Sequence, residues 1–328
     1  MQRKILNVPM SVALAVAVAT LGPGAAVAQS YPTKPIRLIV PFAPSGGTDL
    51  LGRTIAQKLG DAFGHVVIVD NRAGGSGNTG TDMVAKSNPD GYTLLMGYVG
   101  NLAINPFLFK NLPYDPVKDF SPITLAATAP NVLVAHPSVA ANSVKDLVAL
   151  ARAYPSRLNY ASAGNGTVGH MVAELFKTVT NTQIVHIPYK GNGAAITDTL
   201  AGNVQLMFSA PGTVLPHIKA GKLKGLATAS VKRAHGLEEV PTFGEAGFPA
   251  VEASAWYGVL AASGTPRPII TKLHQELVRI IRLPDVRDRF ANLGYEAATS
   301  TPEEFAQLIK SDLAKWQKVV KASGARVD

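Results

Sequence analysis

Three glycines in the stretch Tyr160 to Met171 (YASAGNGTVGHM), Gly164, Gly166 and Gly169, stand in G-x-G-x-x-G spacing. Such a turn brings bare backbone N–H groups to the start of a helix, where unpaired amides and the positive end of the dipole attract a phosphate or carboxylate. Gly75, Gly77 and Gly80 repeat the spacing. A dinucleotide site also needs an acidic residue about 20 positions on to hold the ribose. Gln183 to Tyr189 contains none, and the window after Gly75 reaches Asp90, inside the Asn88-Pro89-Asp90-Gly91 turn signal. Gly-Lys-Ser and Gly-Lys-Thr are absent, which excludes a P-loop. The anion these turns suit is smaller than a dinucleotide, and no cofactor is expected.

Other chemistries leave less trace. Ser45, Ser76 and Ser162 lie near glycines, but none has glycine at both −2 and +2, so the nucleophile elbow of a serine hydrolase is missing. A secreted hydrolase using Ser162 stays as the enzyme alternative. His170 and Glu174 are spaced i, i+4 and read as a helix-surface contact. The seven histidines are dispersed and form no metal-ligand pattern, and the absence of cysteine removes disulfides, thiol nucleophiles and zinc-cysteine sites. Asp49 and Asp198 fall in the first turns of expected helices, where a carboxylate suits the dipole. Capping is their ordinary role, although Asp198 could accept from a ligand amine or hydroxyl. Phe42 and Tyr189 stand at strand ends, placed either to pack the core or to stack on the apolar body of a ligand.

The elements that must position these residues are short β-branched runs alternating with longer segments of helical period, the pattern of a largely parallel sheet flanked by helices. Strands are expected at 36–42, 65–70 and 92–98, with a helix from Thr48 to Phe63 and a short one around Asp82 to Lys86. After Asn111-Leu112-Pro113 and Phe120-Ser121-Pro122 the chain is expected to cross into a second lobe beginning at Asn131, which repeats the strand-helix alternation. Residues 251–262 read as extended, and helices follow at 266–281, 284–293 and 301–323. The last opens with Thr301-Pro302-Glu303-Glu304, an N-cap with proline at N1 and glutamate at N3. The expected division is 29–130 plus 253–328 for one lobe and 131–252 for the other, each with its own core. Residues 1–28 read as a cleaved export signal, with Arg3 and Lys4, an apolar run and Ala26-Val27-Ala28, giving a periplasmic protein.

Four glycine-rich turns, at 41–49, 71–80, 162–167 and 189–193, each precede a helix, and all fall at the same edge of the expected sheets. Open α/β sheets bind ligands at that edge. Ser45, Thr48, Ser162 and Thr167 can add hydroxyl donors or cap the helices. The formal net charge of +9 is scattered among acidic residues in the last helices, which suits a solvated face and not a nucleic-acid stripe.

An ordered set of motifs resembles one family, the periplasmic substrate-binding receptors of tripartite tricarboxylate transporters, or Bug proteins. The set runs through Tyr31-Pro32, Pro35-Ile36, Pro41-Phe42 with Gly46-Gly47 and Asp49, Asn71-Arg72, Asn88 to Leu94, and Tyr160-Ala161-Ser162. It continues with Pro188-Tyr189-Lys190-Gly191, Asp198, Pro216 to Lys219, Pro241-Thr242 with Glu245 and Gly247, Trp256 and Gly264-Thr265-Pro266. The resemblance implies a two-lobed α/β periplasmic-binding-protein fold of the Venus-flytrap type. Its cleft would close on a small carboxylate, a di- or tricarboxylate, acidic amino acid or aromatic acid, for delivery to membrane permease subunits. It implies a binding monomer, not an enzyme, with a signalling receptor as the other binding role. It places the carboxylate at Phe42, Ala43, Ser45, Gly46, Gly47, Thr48 and Asp49, faced by Ser162, Asn165, Thr167, Tyr189 and Asp198, with Gly74, Gly75 and His170 as further members. Ser45 replaces the glycine or proline usual in the family and adds a hydroxyl to that cradle.

Overall fold

The computed structural model describes residues 31–326 except Ser45 and Lys190. The expected export signal and Ser45 therefore lie outside the described residues. The first sheet opens with β1 (Ile36–Val40), in which Ile36, Leu38, Ile39 and Val40 are buried and Arg37 faces out. It is followed by α1 (Gly47–Phe63), β2 (Val67–Asn71), α2 (Asn78–Ala85) and β3 (Thr93–Tyr98), and β1 pairs in parallel with both neighbours. A π turn at Gly100–Ile104 leads into the short α3 (Asn105–Leu108).

The next segment departs from the sequence expectation. Phe120-Ser121-Pro122 does not begin a crossing; it opens β4 (Phe120–Ala129), a ten-residue strand of the first sheet. Proline is tolerated there because the register slips beside it: Leu260 pairs with Pro122 and Val259 with Thr124, leaving Ile123 unopposed. The chain passes between sheets only after Ala129, and Val132 already belongs to β5 (Val132–Ala135) of the second sheet.

The second sheet is completed by α4 (Val144–Ala153), β6 (Asn159–Ser162), α5 (Val168–Thr180), β7 (Val185–Pro188), α6 (Asn192–Leu200), β8 (Leu206–Ser209), α7 (Pro211–Lys219) and β9 (Lys224–Thr228). The chain then returns as β10 (Ala255–Ala262), α8 (Arg267–Ile281), α9 (Pro284–Asn292), a two-residue β11 (Glu296–Ala297) and α10 (Pro302–Ser323). Strand orders are β11-β4-β10-β3-β1-β2 and β7-β6-β8-β5-β9. Both sheets are mixed, correcting the largely parallel expectation: β10 runs antiparallel to β3 and β4, and β5 antiparallel to β8 and β9. The strands next to the crossings are the antiparallel ones, because a chain that leaves one edge of a sheet and re-enters at the same edge must run back through it.

The apolar core does not divide by sheet. One cluster runs from Ile39 and Leu95 through Trp316 on α10 to Phe176 on α5 and Phe208 on β8, and a second cluster fills the other face of the second sheet around Val134, Met207 and Val214. Helix α10 is the bridge, packing on both β4 and α5. Its start carries the expected capping box, Glu304 N–H donating to Thr301 Oγ1 at 3.1 Å and Thr301 N–H to Glu304 Oε2 at 2.8 Å. Trp256 on the returning strand is buried and donates from Nε1 to Asp312 on α10 at 2.7 Å.

Candidate functional site

The parallel arrangement of β1 and β3 puts Val40 and Tyr98 at one edge, from which the 41–46 turn enters α1. Gly46 is the N-cap, at φ −80° and ψ 166°, and has no side chain of its own to cap the helix. The turn is braced from behind. Asn71 Nδ2 donates to the Phe42 carbonyl at 3.1 Å and to Asp49 Oδ1 at 2.9 Å, while Arg53 Nε donates to Asp49 Oδ2 at 2.9 Å. Asp49 is 1% exposed. Its carboxylate is thus engaged in structural hydrogen bonding, the ordinary role of an aspartate in the first turn of a helix. A close backbone approach completes the brace: a Cβ on Gly80 would stand 2.8 Å from both the Pro41 Cα and the Arg72 carbonyl oxygen.

The Phe42 ring lies over Gly77 and edge-on to Tyr98, at a centroid separation of 5.7 Å. Gly77, at φ +94°, leaves the room that ring needs. Gly74 and Gly75 are exposed, and the nearest atoms to them, on Thr79 and Asn78, belong to their own loop. The 71–80 stretch therefore shapes the neighbouring turn. Of the other expected members, Thr48 is buried in the first turn of α1, and Ala43 and Gly46 are exposed.

The G-x-G-x-x-G turn is built differently. Gly164 N–H donates to Ser162 Oγ at 3.2 Å, Gly166 N–H to His170 Nδ1 at 3.1 Å, and Thr167 caps α5 by accepting from His170 N–H. Thr167 Oγ1 also donates to the Gly164 carbonyl at 2.8 Å. The turn is laced to the next one by Tyr189 N–H to Ser162 O at 3.1 Å and Gly191 N–H to Ala163 O at 3.0 Å. The Gly164 and Gly166 amides that the spacing offered to an anion are thus already paired within the protein. Asn165 is exposed at the tip of this turn. Tyr189 and Asp198 do come together, the phenol donating to Asp198 Oδ2 at 2.6 Å. Burial, and then this bond, push the Tyr189 hydroxyl up to about 12.

His170 and Glu174 form no surface pair. Both are buried, because α5 is covered by the sheet on one side and by α10 on the other. His170 stacks on His186 at 4.1 Å, His186 stacks on Tyr160 at 4.7 Å, and Tyr160 donates to Glu174 Oε1 at 2.7 Å, which also receives Lys177 at 2.7 Å. Burial lowers His170 to about 4 and, with the neighbouring His170, lowers His186 to about 3. Ser162 Oγ lies 2.7 Å from His186 Nε2. That contact has the partners of a hydrolase dyad but not its properties: Ser162 is fully buried, and an imidazole so reluctant to take a proton is a poor general base at neutral pH. The Glu174 carboxylate is bonded to Tyr160 and Lys177.

Residues 51–325 match the family described as the tripartite tricarboxylate transporter family receptor, TctC. The chain belongs to that family. It is 37% identical to Protein BugT of Bordetella pertussis, over 94% of this chain and 96% of that one. Among solved structures it is similar to R. palustris Rpa4515 with adipate (TM-score 0.82, 35% identity, 90% of this chain and 100% of that one). It is also similar to MatC from Rhodopseudomonas palustris with bound malate (TM-score 0.78, 30% identity, 88% and 100%). The fold is that of periplasmic binding proteins of the TctC type, a family of solute-binding receptors and not of enzymes.

Several of the motifs that mark this TctC receptor prove to be structural anchors. Tyr31 donates from its hydroxyl to the Gly91 carbonyl at 2.6 Å, joining the first motif to Asn88–Leu94. Thr242 and Glu245 exchange backbone-to-side-chain bonds at 2.7 and 3.0 Å in a tight turn. The two sets of turns are linked through the first sheet's own residues. A Cβ on Gly166 would stand 2.7 Å from Leu108 Cδ1, and the Val168 amide acts on the Tyr98 hydroxyl, which burial otherwise pushes up. Tyr98, Tyr257 and Tyr295 sit here and were not singled out from the sequence. Each is a lone aromatic in or near a strand, where core packing is the ordinary reading, and only the sheet order brings them side by side. Among the described residues no helix is long and apolar enough to cross a membrane, and no group of three or more His, Asp or Glu could hold a metal ion.

Proposed function

We propose that this receptor is exported to the periplasm, binds a small carboxylate between a lobe of residues 29–130 plus 253–328 and a lobe of residues 131–252, and delivers it to membrane permease subunits. The observation that carries the reading is the glycine start of α1, Gly46 and Gly47, set on a turn braced by Asn71 and Asp49. A helix start whose N-cap has no side chain offers its first amides and its dipole to an anion. The carboxylate lies at Ala43 to Thr48, and Asp49 holds the turn. Ser162, Asn165, Thr167, Tyr189 and Asp198 form the opposite wall, shaped by their own hydrogen bonds. Adipate with Rpa4515 and malate with MatC support the ligand class. A few charge-assisted hydrogen bonds with partial apolar burial supply the roughly 8 kcal/mol of a micromolar complex.

Melting temperatures of the mature protein, recorded with di- and tricarboxylates, acidic amino acids and aromatic acids, test the reading. A ligand at a hundred times its Kd adds about 2.7 kcal/mol of stability. At least one carboxylate is expected to raise the melting temperature by several degrees. The absence of a shift with every acid overturns the proposal, and release of product from an ester or amide would establish the hydrolase instead.

A further inference from the structure

Three tyrosines line up at the edge of the first sheet between the starts of α1 and α5. Tyr98 ends β3 and pairs in register with Tyr257 on β10, their rings 5.0 Å apart. Tyr257 meets Tyr295, from the turn after α9, edge-on at 5.3 Å. At one end of this row the Tyr295 hydroxyl oxygen lies 1.7 Å from where a Cβ on Gly47 would stand, so the phenol reaches the first residue of α1 because that residue has no side chain. At the other end Tyr98 lies beside the Val168 amide at the first residue of α5, and beside the Phe42 ring. Tyr257 is 6% exposed.

Resting on the carboxylate-receptor reading above, we propose that Tyr295 is a further ligand-binding and specificity-determining residue. Its O–H completes the cradle at the α1 start, and Phe42, Tyr98 and Tyr257 form an aromatic wall for the carbon chain next to the bound carboxylate. Burial pushes all three phenols up, so they are neutral donors throughout the physiological range. The Arg53 guanidinium on α1 is bonded to Asp49 and Asn71. A carboxylate held by amides and phenols in this way is recognised by donor geometry, and an aromatic wall favours acids whose chain carries no hydroxyl.

Calorimetric titration of wild type, Tyr295→Phe and Gly47→Ala with adipate, succinate, malate and benzoate tests this. The phenylalanine keeps the ring and removes the donor, and alanine at 47 displaces the phenol without altering it. Wild type is expected to bind adipate or succinate more tightly than malate, and each variant to lose about tenfold in affinity; Tyr295→Phe, which also removes the partner of the buried Tyr257 hydroxyl, is expected to lower the unliganded melting temperature while still unfolding cooperatively. Wild-type binding with Tyr295→Phe within twofold of it overturns the role of Tyr295 and leaves the receptor reading standing. Tighter binding of malate than of adipate or succinate overturns the aromatic wall. Failure of wild type with all four acids, and with the wider panel above, removes the receptor reading and this inference with it.

Discussion

The turns into α1 and α5 use the same residue types to opposite ends. At α1 the N-cap is Gly46, which has no side chain to close the helix, and two polar side chains nearby, Asn71 and Asp49, grip the turn from behind. At α5 the N-cap is Thr167, and Ser162, Thr167 and His170 take up the turn's own donors and acceptors. The first helix start has a glycine in place of a capping side chain, the feature on which the proposed anion site rests; the second has a side-chain cap. Glycine content alone does not separate them. What separates them is whether a hydroxyl or an imidazole lies within reach of the amides, which depends on what packs behind the turn.

The sharpest way to break this contrast is to close the open turn. Gly46 has extended backbone angles, and a Cβ there would meet only the Ala43 carbonyl oxygen at 3.6 Å, so Gly46→Asp fits the backbone. An aspartate cap is expected to stabilise the helix by a few tenths of a kcal/mol while placing a negative charge where the ligand's carboxylate binds. Affinity should fall by at least about a hundredfold in calorimetry. Retained affinity would remove the cradle from this turn.

A smaller effect tests what backs the sealed turn. His170 and His186 are lowered to about 4 and about 3 by burial, below the ordinary histidine value of about 6.5 that the unfolded chain keeps. As pH falls from about 6.5 toward 4 the unfolded chain binds more protons, so their contribution to stability is full above about 6.5 and is lost as pH drops through the folded values. The slope is at most about 1.4 kcal/mol per pH unit for each proton. Chemical denaturation of His170→Gln across that range should show a shallower pH dependence than wild type, and equal slopes would remove His170 from this account. The smallest effect is expected at the cap itself: Thr167→Ala should cost about 1 kcal/mol of stability and, because the Thr167 hydroxyl shapes its wall of the cleft through its own bonds, change carboxylate affinity less than threefold. A large loss of affinity would mean that the α5 start holds the ligand after all.

Much of the architecture is legible in the residues. The strands and helices around Ile36, Val168 and Thr301 follow from local signals: a buried β-branched run, an amphipathic period, a Thr-Pro-Glu-Glu cap. The capping box at Thr301 and the edge that carries the turns depend on neighbours within a few positions or on the handedness of the connection. The direction of β4 and β10 is not legible, because a strand's residue pattern is the same whichever way its partner runs, and Pro122 argued against a strand that a neighbouring bulge permits. His170 and Glu174 are likewise spaced as a surface pair, and nothing local announces that His186 and Tyr160 of the second sheet will pack on them.

The sequence by itself determined the class of this protein, its two strand-helix series and its family, since each rests on local backbone preference or on an ordered set of motifs. Only the tertiary structure decided how each glycine-rich turn is bonded. At the α5 turn the bonding partners are close in sequence, whereas the α1 turn is shaped by side chains brought from afar: Asn71 beside Asp49 across 22 residues, and Tyr295 against Gly47 from the far end of the chain. Hydrogen-bond partners distant in sequence are assigned by packing, and no spacing of glycines encodes them.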